Sequence, residues 1–151
     1  MAAGSKRELI LEAVLAKVLA LDSILQAERK PLVGMKDLQA YAQTQLPIAI
    51  ILGGMPVPVE KKSGRTRKLD KVISVIGVDV LIYAMDNVTP DSTISSLADD
   101  VWVTLYDDIT LGYQWVLDME IVPDAKIAVW DPYVACRMLT NVTYLHDKGG
   151  I

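Results

Sequence analysis

The residues that could carry chemistry in this 151-residue chain are few, because it contains one cysteine and one histidine. Cys136 lies in an apolar stretch, and His146 follows in the same predicted strand. At the rise of a β-strand the two side chains are about 33 Å apart, so an unbroken strand keeps them from forming a nucleophile–base pair. One cysteine and one histidine also cannot build a closed zinc site unaided. We expect a buried structural thiol at Cys136 and an exposed imidazole at His146.

Two acidic pairs lie in a region with helical periodicity. Asp99 with Asp100 and Asp107 with Asp108 are separated by eight positions. Adjacent residues do not share a helix face, so each pair offers one carboxylate to each side. The pattern favours a solvated helix edge over a metal site or an acid–base pair.

Two neighbouring glycines, Gly53 and Gly54, follow an apolar run. A phosphate-binding loop would continue into G-K-[ST] and a helix, and neither follows here, so the glycines predict a turn. With no nucleophile–base or metal set in the sequence, we expect no catalytic residue, no metal site and no cofactor. The chain is therefore predicted not to be an enzyme.

Charge is strongly segregated along the chain, whose formal net charge is −4. The segment Val57–Lys71 carries six basic residues against two acidic ones, whereas Val72–Ala125 holds ten acidic residues and no lysine or arginine. Opposed patches on one chain can pair head-to-tail between copies and close a ring. The predicted subunit or tube interface therefore comprises the six basic residues Lys61, Lys62, Arg65, Arg67, Lys68 and Lys71. The alternative is a solvated basic loop beside an acidic helix face.

The overall composition argues against two other partners. A sequence pI of about 4.9 gives no basic field for specific DNA binding. The longest apolar stretches, Leu9–Leu21 and Leu46–Val59, are both interrupted and do not predict a membrane span. The basic and apolar start of the chain is interpreted as an ordinary helix, since Glu8 and Glu12 fall inside it and no clean cleavage site follows.

Two amphipathic helices are predicted. In the first, Ser5 caps the N-terminus with Glu8 at capping-box spacing, and the helix stops near Glu28–Pro31. The second begins near Pro90 and ends at Gly112. Its apolar residues recur at i, i+3, i+4 and i+7: Ile94, Leu97, Ala98, Val101, Trp102, Leu105 and Ile109.

Four strands are predicted between and after these helices. They cover Leu46–Gly54, Leu69–Ala84, Gln114–Val122 and part of Ala128–His146, with Pro123–Lys126 as the hairpin connection of the last two. The expected fold class is α+β, with a mainly antiparallel four-stranded sheet packed against two principal helices in the order α-β-β-α-β-β. We expect one domain over residues 1–151.

In this order of elements the chain resembles the tail terminator (tail completion or minor tail) proteins of long-tailed bacteriophages. The likeness covers about residues 5–147, and Lys36–Gln45 has no counterpart in it. No family motif carries a functional residue over to this sequence. The segments that carry the resemblance are KRELILEAVLAKVLAL, LPIAIILGG, VEKKSGRTRK, VISVIGVDVLIYA, TISSLADDVWVTLYDD, WVLDMEIV and VACRMLTNVTYLHD.

The resemblance implies a structural virion protein that forms a ring, expected to be a hexamer. The ring would cap the head-proximal end of the tail tube, end its polymerisation and join the tail to the neck. Its partners would be copies of itself, the tail tube protein and a neck or head-completion protein, with a sheath protein as a further candidate. DNA would pass through the lumen without specific binding, and the ring would be assembled in the host cytoplasm.

The sequence leaves two other functions open. One is another head–tail connector or neck ring subunit, which shares size and ring symmetry with a terminator. The other is a small-ligand-binding module that uses the face of the sheet.

Overall fold

The part of the chain that the structure describes folds as a mixed seven-stranded sheet with two helices packed on one face. The computed structural model describes residues 5–30, 46–59, 71–86, 88–122, 126–130 and 132–147. The predicted α+β class is confirmed. The prediction of four strands in the order α-β-β-α-β-β is wrong in detail, because the described residues form seven strands, one of which pairs in parallel.

The described residues form two helices and seven strands. In chain order they are α1 (Lys6–Leu19), β1 (Gln26–Glu28), β2 (Ile48–Gly53), β3 (Val57–Pro58), β4 (Lys71–Met85), α2 (Pro90–Asp107), β5 (Val116–Ile121), β6 (Lys126–Trp130) and β7 (Tyr133–Asp147).

The two long strands β4 and β7 form the centre of the sheet. They pair antiparallel along their whole length, from Lys71 opposite Asp147 to Met85 opposite Tyr133. Every second residue of β4 from Ser74 to Ala84 is buried, as the alternation in the sequence predicts. This face, which we call the helix face, packs against α1 and α2.

The other strands lie along the two edges of this central pair. β2 and β3 follow one another along β4, and β5 and β6 follow one another along β7, while β1 adds to β2 in parallel. Apart from β1, the sheet therefore consists of four antiparallel lines of strands. Two of these lines are interrupted, and each of them contains two strands, β2 with β3 and β5 with β6. The predicted hairpin connection at Pro123–Lys126 is wrong: β6 begins at Lys126 and itself pairs with β7, so the reversal follows Trp130.

Helix α1 begins as predicted but ends earlier. Ser5 accepts a hydrogen bond from the backbone N–H of Glu8 at 3.2 Å. The helix ends at Leu19 and not near Glu28–Pro31, because Gln26–Glu28 pairs with β2 as strand β1. After β1, Arg29 turns back and pairs with the carboxylate of Glu8, which ties the strand to the helix.

Helix α2 also begins as predicted, with its proline first, and ends at Asp107 and not at Gly112. The Asp108 carboxylate accepts hydrogen bonds from the backbone and hydroxyl of Thr110, which closes a turn. The next two residues, Leu111 and Gly112, both have positive φ and cannot continue a helix. The predicted core positions are confirmed for Ile94, Leu97, Val101 and Leu105, whereas Trp102 and Ile109 are exposed.

The N-terminus of α2 is held by a residue that the sequence patterns did not single out. Asp86 accepts hydrogen bonds at 2.9 Å from the backbone N–H groups of Val88 and Thr89, and further bonds from the hydroxyls of Thr89 and Thr93. These bonds stabilise the carboxylate and lower the pKa of Asp86 to about 2. Thr89, the residue before the helix, makes no side-chain capping bond.

Replacing Asp86 with alanine is expected to lower the thermal unfolding midpoint by a few degrees at neutral pH, because α2 loses its N-terminal acceptor. A carboxylate with a lowered pKa contributes stability above its unfolded pKa and loses that contribution as the pH falls through its folded pKa. The difference between wild type and variant should therefore shrink between about pH 4 and pH 2. Circular dichroism melts across that range, with Asp91→Ala as control, measure it. A pH-independent difference would contradict the assignment.

Candidate assembly surfaces

The one cysteine and the one histidine lie on the same unbroken strand, β7. Cys136 is buried as predicted, and burial raises the pKa of its thiol. The expectation that His146 is exposed is wrong, because the register of β7 turns it onto the helix face. Its Nε2 lies 2.6 Å from the hydroxyl oxygen of Ser74, and its Nδ1 lies 2.7 Å from the carbonyl oxygen of Asp147. The two side chains do not meet, so this structure offers no nucleophile–base pair between them.

The acidic side chains of the described residues do not converge on one site. Within the described ranges, no three histidine, cysteine, aspartate or glutamate residues come close enough to hold a metal ion. Asp100 accepts a hydrogen bond from the hydroxyl of Ser23 at 2.8 Å, which joins α2 to the segment after α1. Asp79 pairs with Arg137 through two hydrogen bonds of 3.0 and 3.1 Å on the face opposite the helices. These contacts are structural.

The predicted basic interface lies mostly outside the described residues. Of its six members, Lys61, Lys62, Arg65, Arg67 and Lys68 belong to that undescribed part, as does the unmatched segment Lys36–Gln45. Lys71 opens β4 and forms an ion pair with Asp147 across the central ladder. Both side chains of this pair remain at least half exposed. The assignment of the six residues to an interface stays a prediction.

Helix α2 presents an acidic outer surface. It contains four aspartates and no lysine or arginine. Three of them, Asp91, Asp99 and Asp107, are exposed, and no cation of the described residues lies within ion-pair distance of them. Helical periodicity places Asp91 and Asp99 on the side of Trp102, and Asp107 on the side of Val103. Of the acidic residues predicted as a region, Asp91 and Asp99 therefore lie on the exposed side of α2 towards β6.

An apolar groove runs between α2 and the edge strand β6. Its volume is about 320 Å³, with Trp102 and Asp99 from the helix, Ile127 from the edge and Cys136 from the floor among its lining residues. Ile127 is 48% exposed, and Val129, two residues further along the same face, is 55% exposed. We call Trp102, Ile127 and Val129 with their floor the β6 groove.

A second apolar surface lies at the opposite edge of the sheet. Met55, Val57 and Val59 are exposed around the two-residue strand β3, at 68%, 65% and 40%. Val57 pairs with Val75, so it points to the face that carries no helix. We call these three residues the β3 corner.

Sequence reasoning missed both apolar surfaces. Val57, Val59, Ile127 and Val129 are β-branched residues of the kind that fill strands, and nothing in their types separates a buried strand from an edge strand. Proline was the available signal for the β3 corner. Pro56 and Pro58 alternate with Met55, Val57 and Val59, and proline within a sheet is confined to edge strands and strand starts.

No protein-family model matches the sequence, and no curated protein matches it. Among solved structures, the chain is similar to one in the structure "Virion of native gene transfer agent (GTA) particle". The two chains share 8% sequence identity and superimpose with a TM-score of 0.53, over 96% of this chain and 98% of the other. This chain has the fold of a chain from a virion particle. The likeness runs through nearly the whole of both chains, so it concerns the complete arrangement of helices and strands.

Neither α1 nor α2 combines the length and the apolar character that crossing a bilayer would require.

Proposed function

We propose that this chain is a structural virion protein, a tail terminator that forms a ring at the head-proximal end of a phage-type tail tube. The observation that carries the proposal is the end-to-end fold likeness to a chain of a virion particle. The chain also has the α+β class that the family resemblance implies. On this proposal the ring ends tube polymerisation and offers the neck its docking surface.

The surfaces of the described residues favour assembly over catalysis. The acidic side of α2 borders the β6 groove, the β3 corner lies at the opposite edge of the sheet, and all three are exposed. Contacts between two different surfaces of one chain are heterologous and close into rings when the rotation allows it. We propose a hexamer, in which each copy uses the same two surfaces.

The proposed partners follow from the position of the ring. The tail tube protein lies below it, a neck or head-completion protein lies above it, and a sheath protein is a further candidate on the outside. The DNA passes through the lumen, where acidic side chains would repel its phosphates. The protein acts in the virion, without a cofactor and without making or breaking bonds.

A neck or connector ring is the second candidate, because likeness to a chain of a virion particle fits a connector as well as a terminator. The two functions differ in what the ring binds. A terminator binds the end of a tail tube in the absence of the neck, whereas a connector binds the head portal or a completed tail.

The first test is the oligomeric state of the purified chain. Native mass spectrometry should give a species of six times the 16.6 kDa of one chain, and negative-stain images should show rings, alone or once tail tubes are added. A chain that stays monomeric in every condition and never binds a tube would contradict the proposal.

A further inference from the structure

The β3 corner and the β6 groove cannot contact each other within one copy of the chain. Val57 pairs with Val75 of β4, while Ile127 pairs with Cys136 of β7, which itself lies opposite Ile82. Seven residues of strand rise and three strand spacings separate the two positions, a distance of about 27 Å. Among the described residues neither apolar surface covers the other, so each is open to a second copy of the chain.

The two surfaces also differ in orientation. Ile127 and Val129 lie on the helix face, in register with Cys136 and Val134. Val57 lies on the opposite face, in register with Val75. A contact between surfaces on opposite edges and opposite faces is heterologous. Two copies joined in this way still have one unoccupied β3 corner and one unoccupied β6 groove. Every corner and groove is occupied only within a filament or a closed ring.

Charge makes the two surfaces complementary. Asp99 lines the β6 groove and Asp91 lies on the same side of α2, with no lysine or arginine in that helix. The β3 corner is followed in the sequence by the basic residues, the first of which, Lys61, comes two positions after Val59. A second copy that places its β3 corner in the groove thus brings positive charge towards the acidic side of the helix, which favours this pairing over an isologous one.

We propose that the β3 corner of one copy packs into the β6 groove of the next and that this contact closes the ring. The inference rests on the proposed ring-forming function and names the surfaces that function uses. Val57 and Met55 supply the apolar side chains, and Trp102 is the large aromatic anchor of the groove. Both edge strands are short, so neither offers a long unpaired ladder that would compete by non-specific strand pairing.

Disulfide crosslinking tests the contact directly. The cysteine variants are made in a Cys136→Ala background, because Cys136 lies directly opposite Ile127 and would otherwise form a disulfide within the chain. We expect the double variant Val57→Cys with Ile127→Cys to give, on mild oxidation, a ladder of covalent oligomers up to the ring size on a non-reducing gel, since a disulfide needs the two Cα atoms within about 7 Å. The matched control joins Val57→Cys to Leu117→Cys. Leu117 is 47% exposed on β5 and lies on the same edge line as Ile127, which is 48% exposed. A ladder from the control as strong as that from the test pair would overturn the proposal.

Charge insertion gives an independent readout. Ile127→Asp should weaken subunit association at least tenfold while the far-UV circular dichroism and thermal midpoint of the subunit stay near wild type, because an exposed residue is being changed. Leu117→Asp should leave the rings intact.

The outcomes separate this contact from the function on which it rests. If the Ile127→Asp variant still forms rings, the groove does not receive a second copy. If those rings no longer bind tail tubes, the groove receives the tube protein instead. Wild-type protein that never forms rings, even with tubes, would overturn both this contact and the proposed function.

Discussion

Replacing Tyr144 with alanine should be among the most destabilising single changes in the described part of the chain. Its side chain is fully buried on the helix face, near the end of the central strand β7. The ring lies 6.1 Å from that of Trp115 and 5.2 Å from that of His146, measured between centroids. Deleting a buried aromatic ring removes its transfer free energy and leaves a cavity, which together cost about 3–5 kcal/mol. The thermal midpoint should fall by about 10 °C.

The control for this change lies one residue earlier. Thr143 is on the same strand, but its side chain points to the face without helices and is half-buried. Thr143→Ala should cost less than about 1 kcal/mol. Urea unfolding followed by circular dichroism compares the two variants. Equal losses would mean that the helix face is not the main core and that β7 pairs in a different register.

Reversing the charge of Arg65 and Arg67 to glutamate should weaken ring assembly and leave the subunit fold intact. An exposed ion pair contributes about 0.2–1 kcal/mol, and a reversal also adds a repulsion of similar size. Two reversals should therefore weaken each subunit contact by roughly four- to several-hundredfold. Analytical ultracentrifugation at low and high salt measures the effect, which should be smaller at high salt because exposed charges are screened.

The acidic partner of those arginines is tested by compensation. Adding Asp91→Lys and Asp99→Lys, which lie on the groove side of α2, to the doubly reversed variant should restore assembly. Adding Asp107→Lys, on the other side of the helix, should not restore it. Rings that form equally well in the reversed variant without compensation would show that the basic segment is only a solvated loop.

The sequence predicted the elements whose side chains alternate or repeat over many residues. The buried alternation of β4 and the apolar repeat of α2 are both long, so periodicity alone identified their inner faces. The first helix was predicted too long, because Gln26–Glu28 carries no strand signal of its own and becomes a strand only by pairing with β2. The four predicted strands became seven because two of the four lines of the sheet are interrupted and β1 adds a short parallel pairing.

The candidate surfaces depend on tertiary neighbours and were harder to foresee. His146 was expected to be exposed because it lies near the end of the chain, yet the register of β7 places it against Ser74. Ile127 resembles any core residue in sequence, and only its place on the edge line of the sheet exposes it. The acidic side of α2, by contrast, was predicted from composition, since no lysine or arginine occurs between Val72 and Ala125.

Imaging tail tubes mixed with this protein tests the central claim most directly. Tubes assembled from the tail tube protein of the same particle are incubated with the wild-type chain and examined by cryo-electron microscopy. We predict one ring of additional density at a single end of each tube, and shorter tubes when the chain is present during polymerisation. Bare ends at saturating protein, or binding along the sides of the tubes, would contradict the role of a ring-forming terminator.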